Sequence, residues 1–308
     1  MLAAAVADTP GLTGPDVVLH ADWSTNARER WAARAVLRDG RYLARGTEAV
    51  VDGPSLMRSL EGTRALVGFD FPIGVPRSWA QAVGIGSFRE LLSLVGHDEW
   101  CDFFLVAESQ EEISLRRPFY PARPGGRRQV HLVEALEMSA MDDLLRRCER
   151  RQADRRAACA LFWTLGGNQV GKAALAGWRE VLIPSLDRLA LWPFDGDLRE
   201  LLPSERPTVV ETYPGEVYRH LGVSGPKSVR VARARNRVAL SAAAARLGVE
   251  LSPELRSEID SGFARDDQFD ALVGLLGMID VVRGRPSGEP RDDAGVVTVE
   301  GWILGQAG

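Results

Sequence analysis

The sequence predicts an α/β protein, a mixed β-sheet flanked by helices, as a single domain over residues 16–308. Three observations predict it. Short apolar, β-rich runs alternate with stretches of helical spacing along most of the chain. Asp39-Gly40 sits between two strand-like runs, the composition of a tight hairpin turn. And three apolar runs end in an acid, at Asp22, Asp70 and Glu211, as they do where a sheet's carboxyl edge carries a site.

Taken in order, residues 1–15 form an expected disordered leader: six apolar residues with no basic stretch before them, not a secretory signal. "DVVLHADWS" is the first predicted strand. "RWAARAVLRDGRYLARGTEAV" supplies the second and third as a hairpin, "PSLMRSLEG" a short helix, and "RALVGFDFPIG" a fourth strand closed by Pro72 and Gly74. Residues 77–205 then read as a large helical insertion between the fourth and fifth strands. Helical spacing runs through "SFRELLSLV", "VHLVEALEMSAMDDLLRRCERR", "AACALFWTL" and "AALAGWREVLIPSLDRLALW". The fifth strand is "RPTVVETYP". "SVRVARARNRVALSAAAARLG" predicts one long helix, and "SPELRSEID" another, with Ser252 as N-cap and Pro253 at its first position. "ARDDQFDALVGLLG" opens a helix that is apolar nearly all round, and "GVVTVEGWILG" predicts a terminal, hairpin-like strand.

Composition narrows the class. At 308 residues, 45% hydrophobic and 26% charged, the chain matches ordinary globular proteins. No apolar run reaches the roughly 20 residues of a membrane span. Three cysteines without a CxxC pair, and four histidines without ligand spacing, argue against a disulfide framework and a structural zinc, and suit a reducing cytoplasm. The net charge of −4 conceals two basic stretches: eleven Arg against six acids from Arg116 to Arg156, and five basic residues with no acid from Lys227 to Arg237. Such stretches are solvated helix faces or, given the bidentate guanidinium fork, phosphate-binding surfaces.

The acids carry the sharper signal. Asp267 and Asp270 stack on one helix face, in line with Gly274, Gly277 and Val281, so close packing lies at one end of the stripe and carboxylate at the other. Helix capping accounts for Asp266 and Asp267. It does not account for Asp270, a turn further in. Strand alternation puts His20 with Asp22, Gly68 with Asp70, and Val209 with Glu211 and Tyr213. Carboxylates converging at one buried edge need a cation between them, and oxygen ligands without His or Cys select Mg²⁺ or Mn²⁺.

The order "HADWS", hairpin, "GFDFPIG", helical insert, "VVETYP", "DDQFDAL" and "VEGWILG" resembles the domain of unknown function family 429, predicted nucleases with a ribonuclease H-like fold. The pattern of acids is also similar to that of Holliday-junction resolvases of that superfold. The resemblance implies a ribonuclease H-like mixed sheet with the helical insertion described above. It implies a divalent-metal-dependent nuclease in which Asp22, Asp70, Asp267 and Asp270 are the catalytic, metal-binding carboxylates, with Glu211 matching a further acidic motif. One departure is Trp23-Ser24-Thr25-Asn26, where the family commonly has glycines after the first acid; this reshapes the pocket.

Further candidates surround this set. Lys227, Arg230, Arg233 and Arg237 could track a phosphate backbone, the three arginines at i, i+3, i+7 spacing. "GGNQVGKAA" misses the phosphate-loop pattern because Ala173 stands where Ser or Thr is required, although Asn168, Gln169 and Lys172 could line a pocket at a helix start. Trp23 and Trp31 offer stacking surfaces, while His20 reads as a buried, hydrogen-bonded residue. The partner is then nucleic acid or a small phosphorylated substrate, not a membrane; oligomeric state has no signal in the sequence. Two other classes compete: an ATP-dependent phosphotransferase on the related actin-like fold, whose glycine-rich phosphate turns are missing, and a non-catalytic binding module.

Overall fold

The structure is a computed structural model and describes residues 14–152, 155, 157–165 and 170–308. Most of the expected leader, and Asn168 and Gln169, lie outside the described residues. Eight strands form the sheet: β1 (Val17–Asp22), β2 (Trp31–Arg38), β3 (Arg41–Ala44), β4 (Glu48–Ala49), β5 (Ala65–Phe69), β6 (Ala190–Leu191), β7 (Thr208–Glu211) and β8 (Val249–Leu251). Their order is β6-β7-β5-β1-β2-β3-β8, with β4 pairing β2. β1, β2 and β3 run as an antiparallel meander, while β5 pairs parallel with both β1 and β7. The predicted hairpin forms: Asp39 and Gly40 both take positive φ, 49° and 77°, which matches the twist of the flanking strands.

Both sheet faces are covered, which is why β1 is buried along its whole length. On one face Leu19, Val67, Phe69 and Val209 pack against aromatic residues of the 77–205 block, Phe88, Phe103 and Trp178 among them. On the other, Val18, Leu66 and Val210 meet the helix Asp266–Val282. The glycine stripe explains how closely that helix lies. A Cβ on Gly274 would fall 2.3 Å from the His20 ring, and one on Gly277 2.7 Å from Val217, in the helix Pro214–Leu221. The helix Pro253–Ser261 starts as predicted, with Ser252 Oγ accepting from Leu255 N–H. No helix of the described residues is long and apolar enough to cross a membrane.

Several expectations are corrected. "AACALFWTL" is not helical: it turns at Ala160–Trp163 and bridges to Tyr120, whose N–H donates to Phe162 O and whose carbonyl accepts from Thr164 N–H. A short apolar run has no period that separates strand from helix. The helix expected from Val130 onward spans Gln129–Ala135 and stops near Glu137, at φ 56°. The long Ala/Arg helix is two, Arg230–Arg235 and Arg237–Arg246, divided at Asn236, whose side chain bonds both backbone groups of Ser224. Val296–Glu300, expected as strand, is a wide helical turn, and only Ile303 bridges to β7. Burial of Glu300 against Arg77 overrides the β-branched propensity there. Strands β4, β6 and β8, two or three residues each, escaped prediction, and β6 lies inside the block expected to be helical.

Candidate functional site

Two periodicities bring three aspartates together. Along β1, Asp22 lies two residues beyond His20, and along β5, Asp70 lies two beyond Gly68; His20 and Gly68 are register partners. Two residues of strand advance about 6.6 Å. On the overlying helix, Asp270 lies four residues before Gly274, about 6 Å. Because Gly274 rests on His20, Asp270 comes to rest near Asp22.

Asp22 and Asp70 lie side by side at the ends of paired strands, and each carboxyl acts on the other's proton affinity. Burial raises the Asp22 carboxyl well above its ordinary range, and the neighbouring Asp70 charge adds to this. Asp70 is raised too, chiefly by burial, against the stabilising bonds from Asp22 and from Trp23 N–H at 2.7 Å. Asp270 accepts from Tyr218 Oη and Lys227 Nζ. Burial raises its carboxyl, with Lys227 opposing. Lys227 itself loses basicity to burial and regains more from Asp270 and Asp22, so its ammonium persists. Asp267 is half-buried, and burial with the Asp266 charge pushes it to about 6. His20 donates or accepts at Nε2 with Thr212 Oγ1, 2.8 Å away, and burial lowers its pKa to about 3, leaving the ring neutral.

Glu211 does not join this set. It aligns with Phe69 in the β5–β7 register and therefore faces the opposite side of the sheet from Asp70. There Arg146 grips it bidentately at 2.6 and 2.7 Å, while Ile73 N–H donates to it at 2.6 Å. Arg146, 1% exposed, also bonds Glu149 and the Glu300 carbonyl.

The basic candidates are placed differently from expectation. Lys227 is bound to Asp270. Arg233 is buried and donates to the carbonyls of Gly262, Lys227 and Phe263, so it has no reach to a phosphate. Arg230 bonds Ser261 O, and Arg237 lies beyond the break at Asn236, so the expected arginine face does not form. Lys172 is part-exposed on the helix Val170–Gly177. In the Arg-rich stretch, Arg116, Arg117, Arg123, Arg147 and Arg155 are ion-paired. Trp23 is core, edge-on to Phe69 and Phe71.

Sequence reasoning missed Tyr218 and Arg146. Tyr218 lies one turn after Pro214 on a short helix, and its partner Asp270 is 52 residues away, so no local pattern marks it. Arg146 had no signal either. A cavity of about 510 Å³ opens beside Asp70, beyond the ends of β5 and β7, with Tyr213, Gln152 and Gln306 in its wall.

Asp22 and Asp70 fit a hard cation as a pair. Mg²⁺ is commonly held by one or two carboxylates, with water and substrate phosphate completing its shell. Asp270, engaged by Lys227, is not in place as a third ligand, and no group of three or more His, Cys, Asp or Glu among the described residues is spaced to hold a metal. No protein-family model, curated protein or solved structure matches this chain, so its own geometry carries the functional reading.

Proposed function

We propose that this protein is a divalent-metal-dependent phosphodiesterase with a ribonuclease H-like fold. An antiparallel meander that continues into parallel strands, in the order β3-β2-β1-β5-β7, supports the fold. The single observation that carries the function is the buried carboxyl pair Asp22–Asp70 on adjacent strand ends, where a cation would relieve the burial and repulsion that raise both groups. A bound Mg²⁺ or Mn²⁺ would supply an activated water and stabilise charge on the phosphate. Asp22 and Asp70 would provide the oxygen donors in their ionised form. Trp23 N–H fixes the Asp70 carboxylate. Lys227 opposes the burial that raises Asp270 and places a positive charge beside the pair, where it attracts an anionic substrate.

The test is hydrolysis of single-stranded, hybrid and branched nucleic acids, with bis(p-nitrophenyl) phosphate as a minimal diester, in Mn²⁺ or Mg²⁺. Asp22→Asn and Asp70→Asn are each expected to cost about a hundredfold or more, since even outer-shell partners of metal ligands cost 10–100-fold. Wild-type rates in both variants would refute the reading.

A further inference from the structure

The cavity beside Asp70 goes further, to the class of substrate, and rests on the phosphodiesterase reading above. We infer that it binds one nucleotide unit, free or at the end of a strand, with the base against Tyr213 and the phosphate toward Asp70.

Place and size come first. The cavity lies outside the carboxyl ends of parallel strands β5 and β7, where open α/β sheets bind ligands. Its volume of about 510 Å³ lies within the roughly 300–1,000 Å³ typical of small-molecule sites. The arginines of the 116–156 stretch named above are tied to carboxylates, and Arg233 is buried under its own loop, so none of these serves as a free phosphate ligand. The chemistry of the wall suits a nucleoside. Tyr213 is 40% exposed, although its neighbours Glu211 and Thr212 are buried, and it borders the cavity. Gly215 permits its pose: a Cβ there would stand 3.2 Å from the phenol ring. An exposed ring held in place offers a stacking surface that any base can use. Deeper in, Gln306 is 4% exposed and donates through Nε2 to Cys148 O, yet its Oε1 has no partner among the described residues. A buried acceptor without a donor is costly, and a base amino group can provide one after a small turn of the amide. Pro72, Ala158 and Val170 give the sugar and base an apolar part of a wall that also holds the paired charges of Arg146, Glu149 and Glu211. Asp70 in the same wall brings the phosphate to the carboxyl pair.

Calorimetry on the full chain tests this with four probes in the presence of Mn²⁺: AMP, the dinucleotide ApA, ribose 5-phosphate and inorganic phosphate. Binding of AMP or ApA is expected to be at least about tenfold tighter than that of either base-free probe, weakened about tenfold by Tyr213→Ala and retained in Tyr213→Phe. Which of AMP and ApA binds more tightly identifies a free nucleotide or a strand end. No binding of either, equal binding of ribose 5-phosphate, or indifference to Tyr213→Ala in a variant with wild-type circular dichroism would overturn the inference. Hydrolysis of bis(p-nitrophenyl) phosphate, which needs the carboxyl pair and no base, separates the two ideas. Its persistence without nucleotide binding sinks the cavity assignment alone. Nucleotide binding without any hydrolysis sinks the phosphodiesterase alone.

Discussion

Two clusters of charge lie at the same edge of the sheet, on opposite faces, and they are solved differently. Around Arg146 the charges are nearly matched, three arginines against four acids. Its guanidinium serves Glu149 and Glu211, and the adjoining chain Arg147–Asp293–Arg77–Glu300 alternates in sign. Asp293, despite some burial, is held down to about 2 by Arg77 and Arg147. This network ties residues 77, 146–149, 211 and 293–300 into one corner. Around Asp22 the charges are not matched. Three buried carboxyls face one ammonium, and burial raises all three. A balanced buried network works as a fastener; an acidic one with too few cations remains open to a proton or a metal.

Breaking the balanced cluster gives the largest effect. Arg146→Met strands two buried carboxylates, and removing one partner of a buried ion pair costs about 3–5 kcal/mol, measured by urea unfolding. Adding Glu149→Gln and Glu211→Gln to Arg146→Met should restore much of that loss. The acidic cluster should respond to metal instead. Mn²⁺ at a hundred times its Kd is expected to stabilise wild type by about 2.7 kcal/mol, with no effect on the Asp22→Asn, Asp70→Asn double variant; an equal rise in both would remove the pair as a cation site. Asp22→Asn alone should raise stability at pH 7 without metal, read as a higher urea midpoint. An amide carries no charge for burial or for Asp70 to oppose.

The contrast also shows which parts of the site were legible in the sequence. Asp22, Asp70 and Asp270 follow from local periods, two residues along a strand and one turn along a helix, so pattern alone brought them together. Glu211 followed the same rule and was misplaced. Which face it takes depends on the register of β7 against β5, and no local pattern encodes that register. Lys227 and Arg233 read as phosphate ligands because their partners are distant in sequence: Asp270 is 43 residues away from Lys227, and Gly262 29 residues from Arg233. The central strands and the hairpin were legible from apolar runs and Asp39-Gly40. The Val296–Glu300 turn was not, because the ion pair that bends it comes from Arg77.

Asp267 gives the smallest effect and the finest test of the contrast. Its carboxyl rises from an ordinary 3.8 to about 6, through burial first and the Asp266 charge second. A raised acid binds its proton more tightly when folded. The stability this lends is therefore complete below about pH 4 and is lost as pH rises through about 6. At pH 7 the ionised group opposes folding, and Asp267→Asn should gain stability there, by less than about 1 kcal/mol because the side chain is half in water. At pH 4 the variant and wild type should unfold at nearly the same urea concentration. Mn²⁺ bound at the neighbouring pair would lower the cost of the Asp267 charge, so the pH 7 advantage of Asp267→Asn should shrink when the metal is added. An advantage of the same size with and without Mn²⁺ would place Asp267 outside the field of the cation and leave it as a helix-start charge.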